Sequence, residues 1–272
     1  MLVFGQGDCL SLYEQVPDDS VSLSIVDPPY NIDFDYGDGG YKDNKSPEDY
    51  LGWCGQWLAQ LYRVATQEGA FWLVIGDDYV AELKILAEKH GFYLRSWVVW
   101  YYTFGVNSSK KLSRSHTHLL YFTKHKKKFF FDTTAVRVPS ARQLNYNDKR
   151  ANPAGRLPDD TWILRPQELP EGFASGSDTW HIPRVCGTFR ERQAGAANQL
   201  PEQLVARIIR LCSRPGEIVH DPMAGTGTVP AVAKKLGRGY LAWELIDRFA
   251  AAAESRIAAA VVGEPLEGAD NE

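Results

Sequence analysis

Cysteine is scarce and scattered. Cys9, Cys54, Cys186 and Cys212 are the only four in 272 residues, with no C-x-x-C pair. That excludes a disulfide-stapled miniprotein and suits small core residues in a reducing, cytoplasmic setting. No signal-peptide pattern opens the sequence. No apolar run approaches the ~18–20 residues needed to cross a bilayer, and the longest, such as 97–102, are strand-sized. A soluble protein without membrane contact is therefore expected. Proline (15) and glycine (23) are too few, and hydrophobic residues at 44% too many, for a mainly disordered chain. The length suits one large α/β core, with room for a smaller inserted element.

The net charge of −4 is also small, and it hides a strong division. Residues 1–60 hold 11 acids against 2 bases, whereas 105–165 hold 13 bases against 4 acids. The basic stretch includes Lys110, Lys111, Arg114, Lys124, Lys126-Lys127-Lys128, Arg137, Arg142, Lys149, Arg150, Arg156 and Arg165, with Tyr146 and Trp162 among them. A polyanion suits such a patch; a merely solvated face is the plainer alternative.

Short β-type runs at 21–26, 70–75, 94–100, 118–123, 217–220 and 239–244 alternate with helical patterns at 46–65, 79–89, 201–212, 228–236 and 247–260. That alternation predicts a mostly parallel, doubly wound α/β sheet with helices on both faces. Ser46-Pro47-Glu48-Asp49 supplies an N-cap, a first-turn proline and first-turn acids. From about 133 to 182 the periodicity fails and prolines and glycines accumulate, which predicts an irregular insertion outside the sheet. The stretch 31–45 reads as a flexible loop able to close over something.

Asp27-Pro28-Pro29-Tyr30 follows the strand at 21–26. The carboxyl ends of strands are where open α/β sheets bind ligands. A carboxylate, rigid prolines with free carbonyl oxygens and an aromatic ring suit a planar substrate bearing an amino group. Such an amine is a poor nucleophile, and acceptors that draw it towards tetrahedral geometry favour the transition state. Taken alone, the tripeptide also fits a simple turn.

Asp221-Pro222-Met223-Ala224-Gly225-Thr226-Gly227-Thr228 lies between a strand and a helix. Glycines in that position let backbone approach a ligand closely. The next strand ends in Glu244, at the distance where a carboxylate reaches ribose hydroxyls. Pro230 stands where a dinucleotide fingerprint has its third glycine, so an adenosine-bearing cofactor without a pyrophosphate is expected.

These residues resemble the amino-directed DNA methyltransferases that use S-adenosyl-L-methionine. D-P-P-Y-N at 27–31 is similar to that family's catalytic motif, and D-P-M-A-G-T-G-T at 221–228 to its cofactor motif. Their order, with a basic segment between, is that of the circularly permuted beta class. G-D-C-L at 7–10, 70–78, 116–122 and Asn198-Gln199-Leu200-Pro201-Glu202 extend the resemblance over nearly the whole chain. Departures are Leu200 for a common Lys, Ala196-Ala197 for His-Pro, and Met223 and Val229 in the cofactor motif.

The resemblance implies a Rossmann-like methyltransferase core at 1–132 and 183–260, a target-recognition insertion at 133–182 and a loose tail at 261–272. Asp27 and the Pro28 carbonyl would accept from the target amine, with Pro29 and Tyr30 completing the catalytic corner and Tyr30 stacking on a flipped base. Asp8, Asp27, Gln199, Asp221, Ala224, Gly225, Thr226, Gly227, Thr228 and Glu244 would surround the cofactor. Asn31, Lys110, Lys111, Arg114, Lys126, Arg142, Lys149, Arg150 and Arg156 would meet DNA. Asp27 favours adenine N6 as target over cytosine N4; a retired binding module is the alternative of another class. Double-stranded DNA, a homodimer and a restriction-enzyme partner are the expected associates. His116 and His118 alternate on a strand with no further ligand at metal spacing, so packing or phosphate contact is expected there and no metal. Trp53, Trp57, Trp97 and Trp100 are expected in the core or on a sheet face, Trp162 and Trp180 at nucleic acid.

Overall fold

The Ser46 side chain accepts from the Asp49 amide at 3.1 Å and Pro47 takes the first helical position, so the first long helix starts where its capping residues predict. The computed structural model describes residues 2–37, 41–106, 109–110, 112–138, 140–162, 185, 192–193 and 198–266. Its strands are β1 (Leu2–Gln6), β2 (Val21–Val26), β3 (Ala65–Ile75), β4 (Tyr93–Val106), β5 (Arg114–Thr123), β6 (Thr161–Trp162), β7 (Ile218–Asp221) and β8 (Gly239–Glu244). Its helices are α1 (Cys9–Leu12), α2 (Pro47–Val64), α3 (Val80–Lys89), α4 (Ala141–Leu144), α5 (Glu202–Cys212), α6 (Thr228–Lys235) and α7 (Asp247–Ala259).

The strands form one sheet in the order β1-β8-β7-β2-β3-β5-β4-β6, and only β5 runs antiparallel to its neighbours. Successive side chains leave opposite faces. Leu23, Ile25, Trp72, Val74 and Val219 pack with α5, α6 and α7, while Val21, Phe71, Leu73 and Ile75 pack with α2 and α3. The expected doubly wound core is present. Beneath α6, the buried Glu202 carboxylate binds Lys235 Nζ at 3.1 Å and Arg256 Nη2 at 3.0 Å, and Arg256 Nη1 donates to Thr228 Oγ1 at 2.8 Å. Three helices are thereby joined at one buried acid.

Several elements differ from expectation. β1 is an edge strand with no fully buried residue, so its sequence carries little apolar signal. β6 lies inside the segment expected to stay out of the sheet, yet Thr161 and Trp162 pair with Val99 and Trp100. The insertion therefore contributes an edge strand, which two residues are too few to announce. β3 starts earlier than predicted because Val21 pairs with Ala65 and Leu23 with Ala70, leaving 66–69 as a bulge. Gly69 is needed there, since a Cβ would stand 2.8 Å from the Thr66 carbonyl oxygen. Cys9, Cys54 and Cys212 are buried free thiols, and Cys186 lies outside the described residues. Among the described residues no helix is long and apolar enough to cross a membrane.

From β7 the chain leads to β8 and from β2 to β3, away from each other. The gap between β7 and β2 is therefore a topological switch point, with both strands ending at the same rim.

Candidate active site

Leu23 pairs with Val219 and Ser24 with His220, which sets the Asp27–Tyr30 corner beside the Asp221–Thr228 corner. Both line one pocket of about 370 Å³, together with Asp8, Gln199, Glu244 and a loop that follows β2.

At the first corner the Tyr30 hydroxyl donates to Asp27 Oδ1 at 2.8 Å, and the Tyr50 hydroxyl of α2 donates to the Pro29 carbonyl at 2.8 Å. Pro28 is buried. Asn31 differs from expectation. It has a left-handed φ of 56°, its amide nitrogen donates to the Lys45 carbonyl and the Tyr79 hydroxyl (3.0 Å each), and its side-chain oxygen accepts from the Lys45 amide at 2.7 Å. These internal bonds staple the loop and occupy the groups expected to meet DNA. The loop itself is tied down: buried Asp43 accepts from the amides of Asn31, Ile32 and Phe34.

At the second corner Asp221 is buried and accepts from the Met223 amide at 3.1 Å. The Ala224 amide donates to the Trp243 carbonyl at 2.7 Å, and the Gly225 and Ile246 amides donate to the two Glu244 carboxylate oxygens at 2.7 and 2.8 Å. Burial raises the pKa of both Asp221 and Glu244, and for Asp221 the charges of Asp27 and Glu244 add to it. A cluster of desolvated carboxylates favours a cationic ligand, and among the described lining residues Lys45 is the one base.

The two glycines here do different work. A Cβ on Gly225 (φ 52°) would meet nothing within 4 Å, so that residue borders open pocket. A Cβ on Gly227 (φ 78°) would stand 2.9 Å from Ala253 Cα. Close packing against α7 therefore requires a glycine at this position, between Thr226 and Thr228 of the pocket wall. Thr226 and Thr228 do line the pocket. Asp8 both caps α1, accepting from Leu10 at 3.3 Å, and lines the pocket. Gln199 is buried, lines the pocket and accepts from the Gln193 amide at 2.9 Å.

The basic candidates do not form one patch. Because β5 runs against its neighbours, its start lies at the pocket rim and its end at the opposite rim. Thr123 pairs with Ala70 near the start of β3, and Lys124 binds Asp19 and the Ala65 carbonyl. Lys126, Lys127 and Lys128 are exposed on that far rim, which corrects the placing of Lys126 beside the site. Arg114 is at the near rim: a Cβ on Gly76 would touch Tyr30 Cδ2 at 3.3 Å and Arg114 Nη1 at 3.4 Å. Its guanidinium is held by Asp77 at 2.8 Å and Asp78 at 3.0 Å. Arg142 and Arg150 share Asp148, and Arg156 pairs with Asp159. Lys110 and Lys149 are exposed, and Lys111, Arg165 and Trp180 lie outside the described residues.

His116 and His118 do gain a third group that spacing along the chain concealed, because Asp77 Oδ1 lies 3.3 and 3.1 Å from their Nε2 atoms. The Trp97 indole N–H donates to His118 Nδ1 at 3.0 Å. The His118 proton is therefore on Nε2, directed at Asp77, which is a hydrogen-bonded arrangement and the wrong tautomer for ligation through Nε2. Trp57 and Trp100 are buried, Trp97 lies in the sheet on β4 at 37% exposure, and Trp53 packs partly buried against the core while lining the pocket.

Sequence reasoning missed Phe34, Tyr36, Tyr41, Asp43 and Phe249, which also line the pocket. A signal was present: Phe34 and Tyr36 alternate with Asp33 and Asp35, a two-residue period that an unstructured loop has no reason to keep.

A carboxylate-proline corner and a glycine corner side by side at a switch point are arranged to hold an amine-bearing planar substrate against a nucleoside-bearing ligand. The DNA methylase family of N6/N4 methyltransferases matches residues 21–255, and the chain belongs to that family. It is 31% identical over 252 residues to the Type II methyltransferase M.HpaI of Haemophilus parainfluenzae, covering 92% of this chain and 72% of that one. It is 29% identical over 242 residues to the DNA adenine methyltransferase YhdJ of Escherichia coli, covering 88% and 76%. The Thermus thermophilus protein TTHA0409, solved with S-adenosyl-L-methionine, shares the fold at TM-score 0.62 and 22% identity, covering 100% of both chains.

Proposed function

We propose that this DNA amino-methyltransferase methylates the exocyclic N6 of adenine in duplex DNA, with S-adenosyl-L-methionine as methyl donor. The observation that carries the reading is the convergence of Asp27 and Asp221 on one acidic pocket at the switch point. S-adenosyl-L-methionine supplies an activated methyl group on a positively charged sulfur, and the cluster of Asp27, Asp221 and Glu244 suits that charge. Asp27 Oδ and the Pro28 carbonyl accept the two N–H bonds of the target amine, drawing its lone pair out of the ring, and Tyr30 stacks on the base. Glu244 keeps two backbone amides on its oxygens and uses remaining lone pairs for ribose hydroxyls. Gln199, Ala224, Gly225, Thr226 and Thr228 line the donor side.

The core comprises 1–132 and 183–260, with 133–182 reading the target and 261–272 as a tail. Lys110, Lys149 and Arg150 are exposed for phosphate contact. A homodimer, a restriction-enzyme partner and a cytoplasmic setting complete the reading; the likeness to a Type II methyltransferase supports the restriction partner.

Incubation of duplex DNA with isotopically labelled donor, followed by digestion and mass spectrometry, tests the target. N6-methyladenine is the expected product. N4-methylcytosine in its absence overturns the adenine assignment.

A further inference from the structure

The loop after the Asp27–Tyr30 corner turns its aromatic rings inward: Phe34 and Tyr36 are half-buried, whereas Ile32, Asp33 and Asp35 are exposed. It is anchored at two places. Asp43 collects three of its backbone amides. Arg248, at the start of α7, donates to the Tyr36 carbonyl, and Gly37 (φ 95°) makes room, since a Cβ there would stand 3.0 Å from Arg248 Nη2. The loop thus reaches from the catalytic corner to the helix that follows Glu244.

Tyr36 lines the pocket, with its ring edge-on to Phe34 at 4.8 Å and to Tyr41 at 5.9 Å between centroids. Burial raises the pKa of its hydroxyl, and the carboxylates of Asp43, Asp27 and Glu244 raise it further. Tyr36 shares one pocket with the acid assigned to the amine and the acid assigned to the ribose. The donor sulfur has to lie between those two acids for a methyl group to pass to the amine.

We propose that Tyr36 is a cofactor-binding residue whose ring faces the sulfonium of S-adenosyl-L-methionine and distinguishes the charged donor from the neutral product. An aromatic face attracts a cation at short range. The thioether left after transfer carries no such charge, so the attraction lapses once the methyl group has gone. The lining carboxylates act on the same charge, but their own charge varies with protonation, which a ring face does not. The inference rests on the methyl-donor reading above.

Isothermal titration of wild type, Tyr36→Phe, Tyr36→Leu and Tyr36→Ala with S-adenosylmethionine and with S-adenosylhomocysteine tests it. Leucine keeps apolar bulk without a π-face and guards against simple loosening of the loop. Tyr36→Leu and Tyr36→Ala are expected to weaken the charged ligand about 3- to 30-fold, with S-adenosylhomocysteine changed less than about twofold and Tyr36→Phe near wild type for both. Equal losses for the two ligands, no loss for either, or a Tyr36→Phe loss as large as that of Tyr36→Ala overturns the proposal. Wild-type protein that binds neither ligand overturns the donor reading itself, a result distinct from all of these.

Discussion

The Tyr30 hydroxyl donates to Asp27 Oδ1 at 2.8 Å, so the ring assigned to the base and the carboxylate assigned to its amine are fastened to one another before any substrate arrives. Tyr30→Phe keeps the ring and drops the fastening, a charge-assisted bond worth ~1.5–3 kcal/mol. Its kcat/KM on a duplex should fall about tenfold, and that of Tyr30→Ala further, with donor affinity near wild type in both. Tyr30→Ala turning over at the wild-type rate would remove the stacking role.

Asp221 and Glu244 keep their protons to higher pH than free carboxyls because they are buried. Ionised carboxylates attract a cation, so donor affinity should rise with pH through the raised values, and Asp221→Asn should flatten the rise. Stability follows the opposite sign. An acid with a raised folded pKa contributes most below its ordinary value, and that contribution is lost as pH climbs through the raised one. Calorimetric titrations from pH 5 to 8.5 (about the range of ordinary handling) give the first profile, and one independent of pH counts against the carboxylate cluster as the seat of the charge.

The Lys126-Lys127-Lys128 run stands on the rim opposite the pocket. Replacing all three with alanine should leave duplex affinity at the active site and its salt dependence unchanged. Were these lysines on the substrate, each lost phosphate contact would lower the salt slope by about 0.9. Fluorescence anisotropy across a series of salt concentrations reads this directly.

Glu202 pairs with both Lys235 and Arg256 in the interior. Glu202→Gln removes the carboxylate that holds Arg256 and leaves Lys235 to Glu264 at 3.9 Å, and should cost about 3–5 kcal/mol. Urea unfolding of the two proteins measures it, and a difference within 1 kcal/mol (about the scale of an exposed pair) would mean that the helices do not depend on this acid.

The two corners could be read from the chain because each is written in consecutive residues after a strand, and strand ends are where such sheets bind ligands. The doubly wound order followed from alternation of β and α patterns. What could not be read is whatever depends on strand direction or on partners distant in sequence. The basic segment looked continuous, but the reversal of β5 sends Arg114 to one rim and Lys126 to the other. His116 and His118 lacked a third partner until β3 delivered Asp77. The packing partner that requires a glycine at Gly227, Ala253, lies in another helix. Asn31 looked like a DNA contact because its partners Lys45 and Tyr79 come later in the chain.

In the sheet, β8 and β7 stand between β1 and β2. Residues 2–6 and 21–26 therefore cannot take their places in one sheet until 218–244 have been translated. Long-range pairing of this kind folds slowly and leaves strand edges open in the meantime. The Asp27–Tyr30 corner is translated well ahead of the Asp221–Thr228 corner, and the pocket they share cannot close before the later one arrives.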